Sequence, residues 1–161
     1  MLPVVSIVGK SNSGKTTLIE KLIPELKKRN YKIGIVKHSF HGFDIDKKGK
    51  DSWRHKNAGA DTVMLKSSDT IGLVKDSRDE SLDDLMVYFE GMDLVITEGF
   101  KRADKPKIEI FRNSVHQQPL WQEGSTDIIA MVTDSGLDID LPMFGLDQVK
   151  ELADFIEGRF L

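Results

Sequence analysis

The octet Gly9-Lys10-Ser11-Asn12-Ser13-Gly14-Lys15-Thr16 matches G-x-x-x-x-G-K-[ST] at every fixed position. It directly follows the apolar run Val4–Val8 and opens a stretch in which Leu18, Leu22, Ile23 and Leu26 recur at helical spacing. Its glycines let successive backbone N–H groups face one point, and a helix starting there adds the positive end of its dipole. Strand, loop and helix therefore form a cradle for phosphate oxygens. In such a loop Lys15 supplies a point charge to the β- and γ-phosphates and Thr16 turns its hydroxyl toward Mg²⁺. The expected phosphate contacts are Gly9, Ser11, Asn12, Ser13, Gly14, Lys15, Thr16 and Thr17. A chance match in a chain of 161 residues is on the order of one in a few hundred.

Further apolar runs bounded by turn residues predict strands at Lys32–Val36, Thr62–Leu65, Ile71–Val74, Leu94–Thr97, Ile108–Phe111, Ile128–Val132 and Pro142–Phe144. Helical patterns fall at Lys15–Arg29, Asp51–Ala58, Leu82–Phe89 and Leu146–Phe160. Ser81 and Asp84 make a capping-box-like start for the third of these, and Pro24 should kink or shorten the first. Strands alternating with helices predict an α/β fold of the P-loop NTPase kind, with a mostly parallel sheet covered by helices on both faces and ligands at the carboxyl ends of the strands. The length fits one nucleotide-binding domain over residues 1–161. No apolar run approaches the ~20 residues of a membrane span. A net charge of −3 with both signs interspersed argues against a nucleic-acid partner. The chain has no cysteine, and Met1-Leu2-Pro3-Val4 has no basic leader, so a reducing, cytoplasmic setting is expected.

Asp93-Leu94-Val95-Ile96-Thr97-Glu98-Gly99 is an apolar strand ending in a carboxylate and a glycine. Glu98 should emerge at the same sheet edge as the phosphate loop, where a carboxylate can hold the Mg²⁺ shell or orient an attacking water. Thr16, Glu98 and Asp46 are the candidate metal residues, with Lys15 and Glu98 the candidate catalytic pair. Asp46 belongs to Asp44-Ile45-Asp46 in the loop Phe40–Lys50, near His38 and His41. Four scattered histidines without cysteine do not make a zinc site. Lys37, Lys101 and Arg102 are candidates for charge stabilisation at phosphates. Asp134, closing the strand Ala130-Met131-Val132-Thr133, can accept from guanine N1–H and the 2-amino group, or it can shape the turn with Ser135-Gly136. Both roles stay open at this point.

These motifs in this order resemble the MobB family, the molybdopterin-guanine dinucleotide biosynthesis adapter proteins. The resemblance is carried by Gly9–Thr16, Lys37-His38, Asp44-Ile45-Asp46, Gly49-Lys50-Asp51-Ser52, Ala58-Gly59-Ala60, Glu98-Gly99-Phe100-Lys101 and Ala153-Asp154-Phe155, over essentially the whole chain. It implies a GTP- and Mg²⁺-binding adapter that assists a MobA-type guanylyltransferase, with slow GTPase activity at most and molybdopterin as a further ligand. It also implies a homodimer, with Asn113–Asp127 or the Thr62–Val74 hairpin near the partner. Here Ser39-Phe40 separates His38 from His41, whereas the family often has a denser histidine cluster. The competing classes are a small-molecule kinase or ATP-dependent ligase, and a regulatory GTPase switch. A kinase lid rich in arginine would favour the first, and the arginines here do not cluster.

Overall fold

The computed structural model describes residues 2–39, 42–43, 46–77 and 80–161. Phe40, His41, Asp44 and Ile45, which figure in the sequence reading, lie outside the described residues. The chain divides into two compact units, one of residues 1–38 and 84–161 and one of residues 39–83.

The first unit is built on a sheet of β1 (Val4–Val8), β2 (Ile33–Lys37), β5 (Leu94–Glu98), β6 (Lys107–Phe111), β7 (Ile128–Thr133) and β8 (Met143–Phe144). Its order is β2-β5-β1-β6-β7-β8, and every pairing is parallel. β1 is central and wholly buried, which explains why it reads as a continuous apolar run without alternation. Its two neighbours, β5 and β6, come much later in the chain, so the sheet switches direction of growth at β1 and opens a crevice at its carboxyl end.

One face carries the apolar core. Val5 and Ile7, Leu94 and Ile96, Ile108 and Ile110, and Ala130 and Val132 meet α1 (Lys15–Lys28) and α3 (Val149–Phe160). The helices contribute Leu18, Ile19, Leu22, Leu26, Leu152, Ala153 and Ile156. At the far end of α1, Arg29 pairs with Glu157 at 2.5 Å and Asp154 at 2.7 Å, and the Tyr31 hydroxyl donates to Glu157 at 2.7 Å, tying the two helices together. α1 runs through Pro24 to Lys28, so the expected shortening is not observed.

The other face buries polar groups among apolar ones such as Val8, Val95 and Met131. Thr97 donates to Ser6 across β5 and β1 at 2.9 Å, and Lys107 and Glu109 of β6 are almost fully buried. Its cover comes from two short 3-10 helices, Asp84–Phe89 and Trp121–Glu123. The expected helix Leu82–Phe89 is thus a tighter and shorter element. Its Phe89 ring occupies the space above Gly34 of β2 that any side chain there would need.

The second unit holds α2 (Asp51–Asn57) and an antiparallel hairpin of β3 (Thr62–Lys66) and β4 (Ile71–Lys75). Lys56 of α2 donates to the Ala60 carbonyl at 2.8 Å and pairs with Asp76 at 2.6 Å. Met64, Leu65 and Ile71 of the hairpin are exposed. Among the described residues no helix is long and apolar enough to cross a membrane.

Gly34→Val would overpack the contact with Phe89 and should lower the stability of the fold by about 1–3 kcal/mol, read as a lower urea midpoint. An unchanged midpoint would mean that Phe89 does not rest on β2.

Candidate functional site

The loop between β1 and α1 takes its shape from positions where a side chain cannot stand. A Cβ on Gly9 would lie 2.5 Å from the Ile110 carbonyl oxygen and 2.6 Å from Ser13 Oγ, so the loop can lie this close to β6 only as glycine. Gly14 has φ +100° and serves as the N-cap of α1, with no side-chain cap and no acidic residue in the first turn. The first amides of α1, at Lys15, Thr16 and Thr17, have no partner within the helix. Ser11 and Asn12 form the exposed tip, Asn12 at φ +62°.

Ser13 Oγ is buried and has no hydrogen-bond partner among the described residues. A buried hydroxyl left unpaired is costly, and here it lies inside an otherwise anion-ready loop. Lys15 folds back over the loop, its Nζ donating to the carbonyls of Lys10 at 2.8 Å and Gly9 at 3.2 Å. Burial holds its pKa below the usual lysine value, and Lys101 and then Lys37 push the same way while Glu98 opposes them. An anion placed here would relieve an ammonium whose charge the surroundings disfavour.

β5 lies beside β1 in parallel register, with Ile7 opposite Glu98, so the carboxylate is delivered next to the loop as the sequence reading expects. Thr16 Oγ1 donates to Glu98 Oε1 at 2.9 Å, and Lys37 Nζ lies 3.2 Å from the same oxygen. A hydroxyl and a carboxylate side by side are hard oxygen donors of the kind Mg²⁺ takes when phosphate and water complete its shell. Asp46 belongs to the second unit, where its Oδ1 accepts the Lys47 amide at 2.8 Å. Among the described residues no group of three or more His, Asp or Glu side chains could hold a metal unaided.

After Glu98 the chain turns through Gly99 at φ +97° and Phe100 at φ +53°. The left-handed conformation is strained for a bulky residue and persists only when its surroundings enforce it. The Phe100 ring meets the His38 ring edge-on at 5.2 Å, and the Gly99 amide donates to the Ile7 carbonyl at 3.0 Å. This turn carries Lys101 close enough to act on Lys15.

Asp134 is not idle in a turn with Ser135. Its Oδ1 accepts the Asn113 amide at 3.0 Å, while Oδ2 has only longer contacts, 3.5 Å to the Ser114 hydroxyl and 3.7 Å to Arg112 Nε. The turn at Ser135 is shaped by Thr133, whose Oγ1 accepts the Ser135 amide at 3.1 Å.

Three residues that motif reading did not single out, Glu123, His116 and Glu109, adjoin or underlie the loop. Lys10 pairs with Glu123 at 2.6 Å, and His116 Nε2 donates to the Ser11 carbonyl at 2.7 Å. Behind them Glu109 accepts the amides of Leu120 at 2.6 Å and Trp121 at 3.0 Å. Nothing in their spacing marks them, because all four contacts are made across distant segments.

Parallel sheet, central glycine loop, uncapped helix and adjacent carboxylate strand together define the P-loop NTPase fold. Comparison with known proteins narrows this. The sequence profile of the family "Molybdopterin guanine dinucleotide synthesis protein B" (MobB) matches residues 4–134. The molybdopterin-guanine dinucleotide biosynthesis adapter protein of Haemophilus influenzae is 40% identical over 98% of this chain and 89% of its own. The Escherichia coli protein of the same description is 35% identical over 97% and 92%. A crystal structure described as molybdopterin-guanine biosynthesis protein B superposes with a TM-score of 0.79 at 34% identity, covering 96% of this chain and 97% of the other. The chain belongs to the MobB family.

Burial raises the Glu109 pKa above the ordinary carboxylate value, against the pull of the Leu120 and Trp121 amides. The native state therefore holds this proton more tightly than the unfolded chain. Its contribution is complete below about pH 4.3 and is lost as pH rises through the folded value. Relative to Glu109→Gln, the wild-type urea midpoint should fall as pH is raised from about 4 to about 6. A constant difference between the two proteins would contradict the assignment.

Proposed function

We propose that the chain binds GTP with Mg²⁺ at the Gly9–Thr16 loop and serves as an adapter in molybdopterin-guanine dinucleotide biosynthesis, assisting a MobA-type guanylyltransferase. The observation that carries the nucleotide reading is the Thr16–Glu98 contact at 2.9 Å beside a loop crowned by Lys15. Family membership supports the pathway, since the Haemophilus influenzae and Escherichia coli relatives are described as adapters in it.

In this reading the loop amides and Lys15 take the phosphate oxygens, and Ser13 Oγ gains the partner it lacks. Thr16 and Glu98 would hold Mg²⁺, which when bound neutralises charge on the β- and γ-phosphates. Asp134 reads guanine through Oδ2, whose present contacts are long. The residues that add charge around Lys15 are lysines, Lys37 and Lys101. A lysine offers a point charge without the rigid fork by which arginine accelerates phosphoryl transfer, which suits an adapter with slow hydrolysis. The exposed Met64, Leu65 and Ile71 of a two-stranded hairpin, an element marginal by itself in water, support a homodimer formed through that hairpin.

Parallel calorimetric titrations with GTP and ATP, each with Mg²⁺, test this. GTP should bind more tightly, and Lys15→Ala should weaken GTP by about tenfold to a hundredfold. Asp134→Ala should erode the preference for guanine while leaving phosphate binding largely intact. Equal or tighter binding of ATP would replace this reading with the kinase or ligase class, and normal GTP binding by Lys15→Ala would remove the site assignment.

A further inference from the structure

Three consecutive residues of the phosphate loop are held from one side by β6 and the segment that follows it. Gly9 abuts the Ile110 carbonyl, Lys10 pairs with Glu123 at 2.6 Å, and the Ser11 carbonyl accepts His116 Nε2–H at 2.7 Å. A carbonyl can only accept, so Nε2 must carry the proton, which both the imidazolium and one neutral tautomer satisfy.

The segment itself is fastened along its length. Asp134 takes the Asn113 amide at its start, and the buried Glu109 carboxylate takes the Leu120 and Trp121 amides at its middle. Lys107, also buried, reaches Asp127 at 3.3 Å at its end. A connection needed only to join β6 to β7 does not require two ionisable side chains buried beneath it. These anchors fix where the 3-10 turn Trp121–Glu123 sits, and hence where Glu123 meets Lys10.

We propose that the β6–β7 connection is a splint for the phosphate loop, in which His116 and Glu123 are positioning residues that hold Ser11 and Lys10 in the conformation that receives the nucleotide. His116 acts on the loop backbone at the Ser11 carbonyl and Glu123 on the Lys10 side chain, so a loop already ordered loses less conformational freedom when phosphate arrives. The proposal deepens the GTP reading of this site and rests on it for its consequence in affinity. Its consequence for loop order holds without any nucleotide.

The test therefore has two arms. In the first, hydrogen exchange is measured on nucleotide-free wild type, His116→Ala, Glu123→Ala and His116→Gln. Both alanine variants should speed exchange of the Ser13 amide, which donates to the Lys10 carbonyl at 3.3 Å, by about fivefold, with thermal midpoints close to wild type and amides of α3 unaffected. His116→Gln keeps an N–H donor and should restore protection. In the second arm, GTP with Mg²⁺ is titrated into the same proteins. His116→Ala should weaken binding about fivefold and Glu123→Ala about two- to fivefold, the latter deficit fading at about 1 M salt as the exposed pair is screened. Unchanged exchange at the loop in both alanine variants overturns the splint, as does failure of glutamine to rescue. Absence of saturable GTP binding by the wild type would remove the function proposed above, and the exchange arm would still decide the splint.

Discussion

The site depends on the close approach of Gly9 to β6. With no Cβ to collide with the Ile110 carbonyl and Ser13 Oγ, the chain can leave β1 and lie against its neighbour before entering α1. That path leaves the amino end of α1 open and uncapped at the carboxyl edge of the sheet. Parallel register then does the rest. Ile7 stands opposite Glu98 and Val8 opposite Glu109, so the two strands flanking β1 each bring one carboxylate to the level of the loop.

The two carboxylates have different fates because their surroundings differ. Glu98 is partly exposed at a strand end and faces a hydroxyl and an ammonium, Thr16 and Lys37, an arrangement that leaves it available to a cation. Glu109 is sealed under the β6–β7 connection, with both oxygens committed to backbone amides. One carboxylate suits chemistry and the other holds a scaffold. Lys15 completes the contrast: desolvation and two neighbouring lysines oppose its charge, while the loop carbonyls and Glu98 support it.

Much of this was legible in the sequence. The octet specified strand, loop and helix at once because its pattern is local, and Leu94–Glu98 announced its place beside the loop by ending an apolar run in a carboxylate and a glycine. Strand limits fell within a residue or two of those expected. The pattern Lys107-Ile108-Glu109-Ile110 concealed its function, since alternating charge normally marks a solvated face, and here both faces are buried. The partners that make this tolerable, Leu120, Trp121 and Asp127, lie ten to twenty residues away, beyond any local signal. His116 and Glu123 were hidden for the same reason. Asp134 was legible as a strand-end carboxylate, and its tie to Asn113 was not.

The most direct measurement is a crystal structure of the chain grown with a non-hydrolysable GTP analogue and Mn²⁺ in place of Mg²⁺. The expected result is anomalous density beside Thr16 Oγ1 and Glu98, with Lys15 Nζ swung from the Gly9 and Lys10 carbonyls onto phosphate oxygens. A nucleotide bound elsewhere, or Lys15 still folded onto its own loop with the analogue present, would contradict the assignment of Gly9–Thr16 as the nucleotide site.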